Sequence, residues 1–134
     1  MPKEHTNIPK GNTPEAVRER DRLINKSLSK LINTAIPCAG LGDAPVLITI
    51  SGVNETAHHA AKSYRSTCAA LDLVHQIRTA KFHRMVLPKR NTRQQNMGFA
   101  FLIEMHGLLD GKPTKLMIGA RVKGDLVQYC ITAQ

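Results

Sequence analysis

Residues 98–132 read GFAFLIEMHGLLDGKPTKLMIGARVKGDLVQYCIT. Three apolar, β-prone runs are separated by Asp110-Gly111-Lys112-Pro113 and by Lys123-Gly124-Asp125, the pattern of two consecutive hairpins. Strands alternate their side chains between two faces. Strict alternation predicts that Phe99, Phe101, Ile103, Met105 and Leu109 share an apolar face, with Glu104 and His106 on the other. On the second run Leu116, Ile118, Ala120 and Val122 fall together, opposite Lys115, Met117 and Arg121. The third run is ambiguous, because Leu126, Gln128, Cys130 and Thr132 alternate with Val127, Tyr129 and Ile131. An antiparallel sheet can leave one face in water. That wet face is expected to gather Glu104, His106, Lys115, Arg121 and either Gln128 or Tyr129.

Upstream, residues 1–12 are polar and read as a flexible basic tail, with residues 13–134 as one α+β domain. Thr13-Pro14-Glu15 opens a helix with a capping hydroxyl, proline at the first helical position and an acid in the first turn. Val17, Ile24, Leu28, Leu31 and Ala35 keep helical spacing to about Ile36, where Pro37 stops it. Arg18, Arg20, Arg22, Lys26 and Lys30 are assigned to its solvated side. A short strand over 45–50 follows, then a helix from Glu55 to about Tyr64 capped by Asn54 or Ser51. A further helix begins at Ser66 or Thr67 and buries Ala70, Leu73, Val74, Ile77 and Ala80. Residues 82–87 suggest a strand, and 88–96 a mobile basic loop. The expected fold is therefore two to three N-terminal helices on one face of a mainly antiparallel, four- to five-stranded sheet ending in a three-stranded meander.

Nineteen Lys and Arg against ten Asp and Glu give a net charge of +9, which favours a polyanionic partner. Aromatic residues make up only 4% and Trp is absent, which argues against base-stacking platforms. Phe99 and Phe101 approach the aromatic pair of an RNA-recognition motif, but Met97 and Glu104 break that pattern, and core packing explains them better. Cys38, Cys68 and Cys130 are widely spaced and include no CxxC, so a structural zinc site is not expected and buried thiols are. No secretory signal or membrane-length apolar run is visible, which points to a cytoplasmic chain.

No Walker loop, GxSxG or dinucleotide glycine fingerprint occurs. Metal-free and cofactor-free RNA cleavage is one chemistry for which Glu104, His106, Lys115 and Arg121 on one sheet face would suffice. It needs a base for the 2′-hydroxyl, an acid for the leaving 5′-oxygen and cations around the phosphorane. Glu104 and His106 are one candidate acid–base pair. Lys62 stands one turn after His58, and Glu55 with His59 shares the same helical spacing. Lys62, Arg84, Lys89, Arg90, Arg93, Lys115 and Arg121 are the candidate phosphate contacts. A solvated, non-catalytic nucleic-acid-binding surface, or an accessory module, fits the same residues.

The run Ile50-Ser51-Gly52-Val53-Asn54-Glu55-Thr56-Ala57-His58-His59 resembles a motif of nuclease-like domains in polyvalent proteins of phages and conjugative elements. There a strand runs into a helix bearing Glu-Thr and a histidine, then a longer helix, here Ala69 to Val74, then a meander turning at Asp110-Gly111. Such domains are similar to the barnase–EndoU–colicin–RelE group of metal-independent ribonucleases. The resemblance spans residues 45–132. It implies RNA rather than DNA as substrate, a possible protein inhibitor, and functional roles for Glu55 and His58.

Overall fold

The computed structural model describes residues 7–89 and 93–134, with Arg93 described in its backbone only. Arg90 and the side chain of Arg93, both expected on phosphate, lie outside the described residues. Among the described residues five α-helices accompany one six-stranded sheet of order β1-β2-β6-β5-β4-β3. Four of its pairings are antiparallel, and β2 with β6 is parallel. The α+β class holds; the sheet is wider than the four or five strands expected.

The extra strand is β1 (Ala35–Cys38), which pairs with β2 (Ala44–Leu47) in a short hairpin. Helix α1 (Pro14–Leu28) ends earlier than expected, and a 3-10 turn at Ser29–Leu31 leads into β1. Pro37 does not terminate a helix here. It sits in an outermost strand, where a missing N–H costs no ladder bond. Helix α2 (Ile50–Ala60) begins five residues before Glu55, because the Thr49 side chain accepts from Gly52 N at 3.0 Å. The expected third helix is two: α3 (Tyr64–Leu71), capped by Ser63, and α4 (Leu73–Thr79). Strand β3 (Lys81–Val86) follows, and a single short turn of helix, α5 (Arg93–Asn96), stands where a loop was expected.

The meander is β4 (Phe99–Leu109), β5 (Lys112–Arg121) and β6 (Leu126–Ala133). Against the helices it buries Ile103, Met105, Leu116, Ile118 and Ile131, together with Ile24, Leu28, Val53, Ala57, Leu73 and Ile77. Each fully buried Leu or Ile contributes roughly 1.5–3 kcal/mol, so this one cluster dominates the stability. Two bulges alter the expected alternation. The register slips between Phe99 and Phe101, and Phe99 joins a second cluster with Leu102, Val127, Tyr129 and Cys130 while Phe101 packs on the main core. A slip on β6 between Gln128 and Cys130 puts Gln128 and Ile131 on the helix side, which resolves the ambiguous third run.

Polar ties fix the helices on the sheet. Gln128 Nε2 donates to Thr56 Oγ1 at 2.7 Å, and Thr56 Oγ1 donates to the Tyr129 carbonyl at 3.2 Å. Gln76 reaches from α4 to the Leu108 carbonyl and accepts from Thr114 Oγ1 at 2.7 Å. Arg20 is not on a solvated face: it is 0% exposed. It donates to the carbonyls of Ala61, Pro9 and Gly11 at 2.7–2.8 Å. Those bonds and the buried Ile8 tie residues 8–11, part of the expected tail, to the body. Among the described residues no helix is long and apolar enough to cross a membrane.

Candidate active site

The sheet face turned away from the helices carries a cluster around Glu104. Three adjacent strands build it: β3 supplies His83 and Arg84, β4 supplies Glu104 and His106, and β5 supplies Lys115 opposite His106. The β3 register slips between Phe82 and Arg84, so His83 is the bulge residue. That extra residue lets His83 lie against His106, ring centroids 4.0 Å apart and planes 19° from parallel.

Glu104 is 7% exposed, yet its carboxylate is fully engaged. His106 Nε2 donates to Oε2 at 2.6 Å, and Arg84 Nε donates to Oε1 at 3.0 Å. His83 Nε2 stands 4.0 Å from Oε2. The His106 hydrogen bond holds the Glu104 carboxyl below its ordinary range; partial desolvation opposes this, and the Arg84 bond and charge add to it. Glu104 is thus an anion that orients His106. His83 and His106 remain about half exposed and accessible to a ligand. Beside them a cleft of about 360 Å³ is lined by Glu104, His106, Lys115 and Thr132.

The expected acid–base residues, with Arg84, Lys115 and Arg121, fall into three places. Glu104, His106, Arg84 and Lys115 come together. Arg121 does not join them. It faces Phe99, four positions along β5 from the Met117 that faces Glu104, about 14 Å at ~3.4 Å per residue. There Arg121 is bound to Asp125 by Nε at 2.7 Å and by a second bond from Nη2. That carboxylate, its own pKa held down chiefly by the Arg121 hydrogen bond, occupies the guanidinium.

The third place is α2. Glu55 is buried and meets His59 Nε2 at 3.3 Å, the i,i+4 partner, rather than His58. His58 is exposed, its ring edge-on to His59 at 5.4 Å. Burial lowers the His59 pKa below 6.5, with Glu55 opposing. The His59 ring lies 6.2 Å from that of Tyr129. Lys62 and Lys89 are exposed. Glu55 therefore pairs with His59 and not with His58, the histidine expected to work with it.

His83 was absent from the sequence-derived set, because strand periodicity carries no mark of a bulge. The three thiols are free and buried, as expected, and burial pushes Cys130 up to about 12, leaving it inert as a nucleophile. Comparison with protein-family models, with curated proteins and with solved structures gives no match.

Proposed function

We propose that this chain is a metal-independent endoribonuclease-like domain acting on RNA, with Glu104 and His106 at its centre. The observation that carries this reading is the Glu104–His106 hydrogen bond on a cation-flanked, accessible sheet face. His106, oriented by Glu104, takes the proton of the 2′-hydroxyl. The alkoxide attacks the adjacent phosphorus and the P–O5′ bond breaks. His83, stacked on His106, returns a proton to the leaving 5′-oxygen. Arg84 and Lys115 offset the charge of the phosphorane. This is also the chemistry of the ribonuclease group that residues 45–132 resemble, and the toxin-like or mobile-element setting of that group belongs to the same proposal.

Purified protein incubated with total RNA in EDTA should cleave it. His106→Ala should lower the rate by about 10²–10⁴, the usual contribution of a positioned acid–base group. Glu104→Gln should do likewise, while His58→Ala should leave the rate unchanged. Equal cleavage by wild type and a His83→Ala, His106→Ala double variant would sink the reading. Salt-sensitive RNA binding without cleavage would favour the non-catalytic nucleic-acid-binding module.

A further inference from the structure

We propose that His83, Glu104 and His106 also form a binding site for one divalent transition-metal ion of the zinc class, and that the ion competes with the proton chemistry of these groups. One ring nitrogen of each histidine and one Glu104 oxygen all lie within 4.8 Å of one another. Two imidazoles and one carboxylate are a ligand set that zinc and other borderline divalent ions accept, with a fourth position left for water. Their origin favours binding further. The three residues sit on adjacent strands of one sheet, so the backbone holds them in place without the ion.

The adjustment required is small. Ligands about 2.1 Å from a tetrahedral ion stand ~3.4 Å from one another. His106 Nε2 and Glu104 Oε2 are now at 2.6 Å and must part slightly; His83 Nε2, at 4.0 Å, must approach. Both rings are about half exposed, so neither movement disturbs the core. Arg84 binds the other carboxylate oxygen, Oε1, and leaves Oε2 to the ion. A carboxylate ligand hydrogen-bonded through its second oxygen is a common support around metals. Arg84 and Lys115 carry positive charge toward the same place and weaken the attraction of a dication. Binding should therefore be weaker than at a closed four-ligand structural site, and too weak to fold the chain.

The test uses the 134-residue chain without an affinity tag, stripped with EDTA and desalted. Titration with Co²⁺ followed by visible absorption, and with Zn²⁺ by calorimetry, should each show one equivalent bound. His83→Ala, His106→Ala and Glu104→Gln should each weaken binding at least tenfold, and His59→Ala should leave it unchanged. Ring-proton NMR of wild type should show the His83 and His106 signals shifting together on Zn²⁺ addition, a readout that does not depend on the variants folding. Wild-type binding no tighter than millimolar, or His83 and His106 variants that bind as well as wild type, would overturn the site. These measurements use no RNA, so a protein that cleaves in EDTA yet binds no metal refutes the metal site alone. One that binds metal and never cleaves refutes the ribonuclease reading alone. The competitive part rests on that reading: stoichiometric Zn²⁺ should suppress cleavage, and undiminished cleavage by the Zn²⁺-loaded protein would refute it.

Discussion

Arg20 and His59 show how single side chains in this fold depend on what surrounds them. Arg20 lies fully buried and fastens three carbonyls from two segments, with Nη2 unpartnered among the described residues. Arg20→Met keeps the apolar stem and removes the donors, leaving those carbonyls to find water. Destabilisation of about 1–3 kcal/mol should follow, the cost of abandoning buried hydrogen-bonding groups, read as a lower denaturant midpoint. An unchanged midpoint would mean that residues 8–11 contribute nothing to the folded state. For His59 the direction follows from burial, which lowers its folded pKa below 6.5. The unfolded chain then binds the proton more readily than the folded one. This residue's contribution is complete above pH 6.5 and is lost as pH falls toward its folded pKa. His59→Gln should flatten that part of the stability–pH curve. If the wild-type and variant curves stay parallel through this window, burial does not govern His59.

The elements meet where backbone approaches backbone, most closely at α2 on β6. A Cβ at Gly52 would stand 2.2 Å from the Gln128 carbonyl oxygen, an atom that cannot rotate away. Gly52→Ala should therefore push α2 off the sheet and cost ~1–3 kcal/mol, as overpacking does, despite the gain in helix propensity. Thermal unfolding measures it, and a stabilised variant would show that α2 floats. The close contact explains part of what the sequence concealed. Ser51-Gly52 reads locally as a turn; its helical state follows from docking and from the Thr49 cap. The helix faces of β4 and β5 were legible, because Ile103, Met105, Leu116 and Ile118 repeat at period two without interruption. The slips at Phe99, Tyr129 and His83 were not, since a bulge adds one residue without any compositional signature. So Glu104, His106 and Lys115 could be grouped from their spacing, whereas His83 could not be added, nor Arg121 removed. Helical spacing alone allowed either His58 or His59 near Glu55, and the buried face of α2 selects His59.

Across the whole molecule, exposed positive charge among the described residues lies both on the helix side and on the sheet face around Glu104, and only the second can carry the proposed chemistry. Helix α1 exposes Arg18, Arg22 and Lys26, and the 3-10 turn after it exposes Lys30; Arg22 is partly spent on Glu19 through bonds of 2.6 and 2.8 Å. The opposite side presents Arg84 and Lys115 around Glu104, with Lys81 paired to His106 in the β3–β4 register. RNA on that side neutralises about three phosphates, each adding ~0.7 to the salt slope of single-strand binding, so log Kd should rise with log salt at a slope near 2. Lys115→Gln should reduce the slope by ~0.7 and weaken all sequences alike, because phosphate contacts carry no base preference. Arg121→Gln should change neither slope nor affinity, since Asp125 already holds that guanidinium. An Arg18→Gln, Lys26→Gln double variant should also bind as wild type does. The reverse pattern, a slope reduced by the α1 variants and untouched by Lys115→Gln, would place the polyanion across the helices. Glu104 and His106 would then face away from any phosphodiester, and fluorescence anisotropy at four salt concentrations is enough to tell the two apart.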